Sequence, residues 1–183
     1  MLVRIVSADT AKAKVQICLL KDYFQKKGWE VFIGGGLKDF PDFAQDKMST
    51  ALVLYAGYNE QVIEAKEQLK EGRAVITGKW DELPHAYSYE FPFESRLAFG
   101  YIKDSLQSPT PTISFLLKVK TDGLADIMPG LTAEQYQKAL LDLAGRKTEK
   151  GWQIMDGECG EEAVKKCIKN CLSGWSGFKI KDD

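Results

Sequence analysis

The sequence predicts an α/β protein with a doubly wound, five-stranded parallel sheet flanked by helices. Short β-prone runs alternate with longer segments whose apolar residues recur at helical spacing. Glycines stand where several helical patterns stop. Parallel strands need crossover connections, which are usually helices, so this alternation favours a parallel sheet. With 183 residues, 44% of them hydrophobic, we expect a single domain over 1–183 with its own core.

The first half of the chain contains strand and helix patterns in turn. In chain order these are a strand over Leu2–Ser7, a helix over Ala11–Lys27, a strand over Trp29–Ile33, a helix over Asn59–Glu71 and a strand over Ala74–Thr77. Gly28 and Gly72 end the two helical patterns. Periodicity does not assign Phe40–Tyr58, where Thr50–Tyr55 fits either a strand or a buried helix.

The second half repeats the strand-helix unit. The predicted elements are a strand over Ile113–Val119, a helix over Thr132–Ala144, a strand over Trp152–Met155 and a helix over Glu161–Leu172. Thr132 and Gln135 have the spacing of a capping box. Parallel sheets bind ligands at the carboxyl ends of their strands, which are residues 7–14, 34–39, 78–81 and 118–122 here.

The composition argues against several classes of protein. A formal charge of -1, with only four arginines among 25 basic residues, is unlike a strongly basic nucleic-acid binder. The apolar runs are shorter than the ~20 residues of a membrane-spanning helix. Met1–Arg4 leads into a strand pattern and not into a signal sequence. We therefore expect a cytoplasmic protein whose partners include neither nucleic acid nor membrane.

Two of the cysteines lie close together in the last predicted helix. Cys167 and Cys171 share one helical side, and that spacing suits a metal site or a redox couple. The same side carries Val164, Ile168 and Leu172. We favour the interpretation that both cysteines are small apolar core residues, and we expect no metal.

Segments along the whole chain follow the order of one known family. They are the strand, loop and helix start over Val6–Gln16, the strand entry Gly28–Val31, the helix and strand over Val62–Ile76, the pair Ala86–Tyr87, the strand Pro111–Leu117 and the end Ile154–Gly157. Together they resemble the thymidylate kinase branch of the P-loop nucleoside monophosphate kinases. The resemblance implies one thymidylate kinase-like domain with a P-loop kinase-like three-layer sandwich.

The phosphate loop of that family is degenerate in this chain. A P-loop needs G-x-x-x-x-G-K-[ST], because the glycines let backbone amides cradle phosphates, the lysine reaches them and the hydroxyl holds Mg²⁺. Ser7, Lys12, Ala13 and Lys14 stand at those four places, and Asp9 lies inside the loop. Lys12 or Lys14 either attracts an anion to the helix start or, as we favour, is a solvated surface lysine.

The other charged motifs of the family are missing as well. Gly78, Lys79 and Trp80 replace the Asp-Arg-Tyr signature, and Thr121–Gly130 is too short for the lid and contains no arginine. Phosphoryl transfer depends on such charges, and one arginine alone contributes ~10³-fold or more to the rate in related enzymes. We therefore expect no useful kinase activity and no cofactor; ATP and Mg²⁺ would be needed only by a divergent kinase.

Aromatic and basic residues gather after the third strand. Tyr87 could stack on a base, Lys79 could contact a phosphate and Arg96 could replace a lost phosphate contact. We favour the alternative that Tyr87–Phe93 is a core or interface stripe. His85 has no nucleophile or carboxylate pattern that would make it catalytic.

Three functions remain open from these residues. The first is a catalytically inactive thymidylate kinase-like protein, a pseudoenzyme that acts as a structural or regulatory partner of another protein or of a second copy in a homodimer. The second is a sensor that binds a nucleoside monophosphate or a nucleoside without converting it. The third is a divergent nucleoside monophosphate kinase that uses Lys12, Lys14 and Lys79. The first predicts an exposed apolar patch on the helices that carry Leu52, Leu54 and Tyr55 or Tyr87–Phe99.

Overall fold

The computed structural model describes residues 1–34, 46–78, 82–89, 91–145 and 151–174. These residues contain one five-stranded sheet, parallel throughout, with helices on both faces. In chain order the elements are β1 Leu2–Ser7, α1 Thr10–Lys26, β2 Val31–Gly34, α2 Lys47–Lys70, β3 Ala74–Thr77, α3 Glu82–Ser88, α4 Phe93–Ser105, β4 Ile113–Lys118, α5 Ala133–Gly145, β5 Trp152–Asp156 and α6 Glu161–Ser173. The predicted fold class and sheet are confirmed.

The strand order is β2-β3-β1-β4-β5, which makes β1 the central strand. Leu2 of β1 is in register with Val75 of β3, and Val3 is in register with Ile113 of β4. β1 is buried along its whole length, as expected where helices cover both faces of a parallel sheet. This order brings the carboxyl ends of β1, β4 and β5 together at one edge of the sheet.

Two apolar cores lie on opposite sides of the sheet. Leu2 and Val6 pack with side chains of α2, α3 and α5. Val3 and Ile5 pack with side chains of α1 and α6. Successive side chains of a strand point to opposite faces, so β1 contributes to both cores. Each large apolar side chain buried in this way contributes about 1.5–3 kcal/mol to folding.

The helix boundaries that depend on local signals agree with the sequence. Gly28 and Gly72 follow α1 and α2 with φ of 77° and 79°, in the left-handed region that glycine adopts at helix ends. The capping box at α5 is formed: the Thr132 amide donates to Gln135 Oε1 at 2.9 Å, and the Gln135 amide donates to Thr132 Oγ1 at 3.2 Å. Both predictions are confirmed.

The structure describes residues 46–58 of the segment that periodicity left unassigned, while residues 40–45 lie outside the described residues. α2 begins at Lys47 and not at Asn59, and Asp46 caps it by accepting a hydrogen bond from the Ser49 amide at 2.9 Å. Thr50–Tyr55 is therefore helix and not strand. Exposed Leu52 lies on the side of α2 away from buried Leu54. An apolar residue on the solvent side obscures the helical period, which explains why the sequence pattern is ambiguous.

Two further helices, α3 and α4, were not among the predicted elements. α3 is only seven residues long, and nearly all of its residues are buried. A helix that is buried on most sides shows no amphipathic period. In α4, Leu97 and Tyr101 are exposed while Phe99 is buried, so apolar residues occupy both sides of that helix.

The interpretation of both α6 cysteines as core residues is wrong for Cys167. Cys167 is exposed and Cys171 is only partly buried, because Val164, Ile168 and Leu172 form the inner side of α6. Among the described residues, no group of three or more His, Cys, Asp or Glu side chains is placed to hold a metal ion. No helix within the described ranges combines the length and apolarity needed to cross a membrane.

Candidate functional site

The candidate site is the edge of the sheet where β1, β4 and β5 end. Ser7, the last residue of β1, donates a hydrogen bond from Oγ to the Leu117 carbonyl of β4 at 3.0 Å. The same hydroxyl accepts a hydrogen bond from the Asp9 amide at 3.1 Å. Only Ala8 and Asp9 connect β1 to α1. Ser7 therefore joins the two strands and closes a tight turn between β1 and α1.

Asp9 occupies the start of α1 with its own carboxylate. Its Oδ1 accepts hydrogen bonds from the amides of Ala11 at 3.0 Å and Lys12 at 3.1 Å. Free amides and the helix dipole make a helix N-terminus attractive to anions. Here two of the amides are already paired with a negatively charged side chain. A phosphate at this position would have to displace or approach that carboxylate.

Lys12 is held by an acidic residue from the other end of the chain. Its Nζ lies 3.0 Å from Oε1 of Glu158, which follows β5. The same oxygen accepts a hydrogen bond from the Lys120 amide, after β4, at 3.1 Å. The hydrogen bond from Lys12, together with that amide, lowers the pKa of the Glu158 carboxyl. Glu158 thus links the first turn of α1 to the connections that follow β4 and β5.

Ala13 and Lys14, the two other residues compared with a phosphate loop, lie on different sides of α1. Ala13 is buried on the inner side of α1, whereas Lys14 is exposed. The structure brings Ser7, Asp9 and Lys12 together at the end of β1. Among the described contacts, Lys14 does not join the Lys12–Glu158 pair. Its exposure agrees with the interpretation of Lys14 as a solvated surface lysine.

Three residues at this edge were not found by sequence reasoning. The Gln137 side chain of α5 donates to the Val119 carbonyl at 2.9 Å and accepts from the Val119 amide at 2.8 Å. Gly157 lies so close to β4 that a Cβ there would come within 2.7 Å of Val119 Cγ1. Glu158 completes the set. Gly157, directly after a strand, was the only local signal for these three residues. Their contact partners lie far away in the sequence, so no local pattern shows them.

The aromatic residues after β3 pack on one another. Tyr87 is buried and its ring centroid lies 6.1 Å from that of Phe91, edge to face. Phe91 contacts Phe99 in the same way at 5.4 Å, and Phe99 stacks on Tyr55 of α2 at 5.2 Å. These four rings form part of the core between α2, α3 and α4. The geometry favours a core stripe over a platform for a base.

Arg96 lies in a different setting from Tyr87. Its Cζ is 5.9 Å from the ring centroid of Tyr89, a ring that also contacts His85 edge to face at 5.2 Å. Tyr89 is exposed whereas Tyr87 is buried. Lys79 and Trp80 lie outside the described residues. Of the predicted phosphate and base contacts, Tyr87 therefore lies in the core and Arg96 is half-buried beside the exposed Tyr89.

Comparison with known proteins adds no assignment. The sequence matches no protein-family model, and it matches no curated protein. The resemblance to thymidylate kinases therefore rests on the segments quoted above. At the described edge of the sheet, Lys12 and Glu158 therefore pair with each other, and Ser7, Asp9 and Glu158 bond to backbone groups at the strand ends and the helix start.

Proposed function

We propose that this protein is a catalytically inactive relative of the thymidylate kinases that acts by binding another protein chain. The parallel sheet, with strand order β2-β3-β1-β4-β5, is consistent with a P-loop kinase-like fold. The observation that carries the proposal is the Asp9 carboxylate bonded to the first amides of α1. Those amides are the groups that would hold nucleotide phosphates in an active relative.

The charges around this edge support the absence of phosphoryl transfer. Catalysis of that reaction needs positive groups and a metal placed against the phosphates. Here Asp9 adds a negative charge at the helix start, and Glu158 neutralises Lys12 at 3.0 Å. Ser7 Oγ donates to a strand carbonyl. We therefore expect ATP with Mg²⁺ neither to bind appreciably nor to phosphorylate thymidylate.

The proposed partner surface is the outer side of two neighbouring helices. The structure exposes eight large hydrophobic side chains among the described residues, and five of them lie on α2 and α4. We name these five the outer helical face: Met48, Leu52, Ile63, Leu97 and Tyr101. α4 packs beside α2 through the stacked pair Tyr55–Phe99 and the hydrogen bond from Lys66 Nζ to the Leu106 carbonyl at 3.1 Å.

The outer helical face lies on the helices expected to carry such a patch, and two of its residues, Leu52 and Leu97, belong to the predicted segments. Leu54, Tyr55, Tyr87 and Phe99 are buried and Leu52 is exposed. Stable complexes bury about 800 Å² on each partner. The outer helical face would therefore form the apolar centre of a larger contact, either with a second copy of this chain or with another protein.

The aromatic packing supports a protein partner over a nucleotide sensor. Tyr87, Phe91, Phe99 and Tyr55 already use their ring faces and edges on one another. A base that stacked on Tyr87 would have to displace these contacts, each of which contributes about 0.5–1.5 kcal/mol beyond its buried area. A partner on the outer helical face displaces only water.

Two isoleucine-to-lysine variants at similarly exposed positions test the partner surface. Ile63 on α2 is 51% exposed, and Ile154 on β5, outside the outer helical face, is 54% exposed. If the chain associates with itself, we expect Ile63→Lys to abolish that association in sedimentation experiments. If the chain is a monomer, we expect Ile63→Lys to abolish its binding to a co-purifying protein. Ile154→Lys should leave either association unchanged. Equal effects of the two variants, or no association of any kind, would contradict the proposal.

A kinase assay tests whether the candidate site is inactive. Purified protein with ATP, Mg²⁺ and thymidylate should show no turnover above background. A rate above ~1 s⁻¹, the lower end of ordinary kinase values, that was lost in Lys12→Ala would instead establish a divergent kinase. A thermal shift with nucleosides or nucleotides that was lost in Tyr87→Ala or Arg96→Ala would establish a sensor.

A further inference from the structure

The two helices on one face of the sheet carry an excess of lysine. α1 and its C-cap Lys27 contain five lysines and one acidic residue, Asp22, and α6 contains three lysines and two glutamates. By contrast, α2 and α4 each contain equal numbers of basic and acidic residues, and the whole chain has a formal charge of -1. α1 and α6 therefore form a basic face on a protein that is otherwise acidic.

Several of these lysines line the cleft between α1 and α6. Lys12, Leu19 and Lys26 are seven residues apart, which places them on one side of α1. Leu19 lines the cleft, and Lys165 and Lys169 of α6 line it from the opposite side. Lysines of both helices therefore follow the cleft for about 21 Å, the rise of an α-helix from Lys12 to Lys26.

Part of this positive charge has no ion-pair partner. Lys165 pairs with Glu162 at 2.8 Å. The hydrogen bond from Lys165, together with the charges of Lys165 and Lys169, lowers the pKa of the Glu162 carboxyl. Lys169 Nζ lies 4.6 Å from the centre of the Tyr23 ring. Among the described residues, no acidic side chain forms an ion pair with Lys169 or Lys26.

A buried hydrogen-bond acceptor lies at the floor of the same cleft. Gln16 lines the cleft and is 3% exposed, and its Nε2 donates to the Glu161 carbonyl of α6 at 3.0 Å. That hydrogen bond defines which end of the side-chain amide is the oxygen. Within the described part of the chain, no donor reaches Gln16 Oε1, and buried acceptors without a partner are rare. The cleft therefore offers positive charge at its rim and one acceptor at its floor.

We propose that the cleft between α1 and α6 binds an acidic segment of another protein: its carboxylates pair with Lys26 and Lys169, and one of its N–H groups donates to Gln16 Oε1. A polypeptide supplies both kinds of group, whereas a phosphodiester has no donor. Lys165 and Lys169 line the cleft and are long enough to turn toward an incoming carboxylate, which would uncover the buried Oε1. The cleft lies across the sheet from the outer helical face, so this binding does not depend on the partner surface proposed above.

The composition of the basic face argues against a membrane or a nucleic acid as the partner. Among the described residues, the exposed large hydrophobic side chains all lie outside α1 and α6, so this face has none to insert into a bilayer. It contains lysine but no arginine, and arginine is the residue that binds phosphate with two donors. A long polyanion would also extend past the cleft onto the acidic remainder of the protein. Complementary charge therefore favours a short acidic segment.

Binding of a synthetic peptide measures the affinity of the cleft. The probe is a labelled peptide of glutamate, alanine and leucine, about 15 residues long, which as a helix matches the length of the cleft. Fluorescence anisotropy should show saturable binding, and the Kd should rise about tenfold when the salt concentration increases from about 0.05 to 0.5 M. A peptide with lysine at every glutamate position should not bind. In NMR spectra of the wild type, the side-chain amide resonances of Gln16 should shift when the acidic peptide is added.

Two pairs of variants separate a specific site from general attraction between charges. Lys26→Gln with Lys169→Gln removes two charges of the cleft and should raise the Kd about three- to tenfold. Lys70→Gln with Lys138→Gln removes two exposed charges on α2 and α5 and should leave the Kd unchanged. The pairs are matched, because Lys26 and Lys70 each lie in the last turn of a helix.

The possible results decide which partner fits the cleft. Absence of peptide binding, equal weakening by both pairs of variants, or unshifted Gln16 resonances would overturn the proposal. Tighter binding of DNA of similar length would instead indicate a nucleic acid as the partner, and tighter binding of vesicles of phosphatidylserine and phosphatidylcholine would indicate a membrane. Either of these results would overturn the proposal as well.

Discussion

Replacing Asp9 by alanine tests whether its carboxylate caps α1 and fills the anion position at once. The side chain accepts hydrogen bonds from the amides of Ala11 at 3.0 Å and Lys12 at 3.1 Å. Loss of an N-cap side chain costs about 0.5–2 kcal/mol, and a negative charge at a helix N-terminus contributes about 0.3–1 kcal/mol. Both figures describe the same carboxylate and are therefore not added in full. We expect Asp9→Ala to lower the free energy of unfolding by about 1–2 kcal/mol.

Urea denaturation followed by circular dichroism measures this loss. With a slope of about 2 kcal/mol per molar urea, the midpoint should fall by about 0.5–1 M. Asp9→Asn is the matched control, because it keeps a capping oxygen and removes only the charge; its loss should be about 0.3–1 kcal/mol. An Asp9→Ala variant as stable as the wild type would refute the capping role.

The same variants test the anion position. Without the carboxylate, the amides of Ala11 and Lys12 become available to inorganic phosphate. At a phosphate concentration equal to its dissociation constant, the folded state gains about 0.4 kcal/mol. We therefore expect millimolar phosphate to raise the melting temperature of Asp9→Ala but not that of the wild type. Equal responses of the two proteins would show that the carboxylate does not occupy an anion position.

Three other contacts at the same edge make further predictions. Gly157→Ala places a methyl group 2.7 Å from Val119 Cγ1 and should lower stability by about 1–3 kcal/mol in urea denaturation; a neutral result would show that the chain there shifts freely. Gln137→Leu leaves both backbone groups of Val119 without the amide partner and should cost about 1–3 kcal/mol; a stability equal to that of the wild type would contradict this role of the side-chain amide. Because its hydrogen bond with Lys12 lowers the pKa of Glu158, the pair contributes stability above the ordinary glutamate pKa and loses it as the pH falls through the lowered value. An NMR titration of the Glu158 carboxyl should therefore give a higher midpoint in Lys12→Met, and identical midpoints would contradict the pairing.

Local signals in the sequence were sufficient for the class of fold. β-prone runs, helical periods and the glycines at 28 and 72 predicted strands and helices whose bounds mostly agree with the structure. These signals work because the period of a helix and the left-handed conformation of a glycine depend only on residues nearby. Where apolar residues occupy both sides of a helix, as in α2 and α4, the helical period is obscured. For that reason the sequence did not predict the first part of α2 or any of α4.

The candidate site was predicted only as a position, not as a set of contacts. The sequence placed Ser7, Asp9 and Lys12 at the end of β1, because a helix must follow a strand there. It did not show that Lys12 is paired, since the partner Glu158 is 146 residues away in sequence. No local pattern connects residues at that separation.

The sequence by itself determined that this chain forms a parallel α/β sheet and that the segment after the first strand, residues 7–14, lacks the G-x-x-x-x-G-K-[ST] pattern of a phosphate loop. Only the tertiary structure decided which charges meet and which apolar side chains stay in water. The Arg4–Glu82 pair joins residues 78 apart, and the exposure of Leu52 beside buried Leu54 depends on which side of α2 faces the sheet. Ion pairing and burial are properties of the packed arrangement, because they arise from the order of the strands and the placement of helices on them.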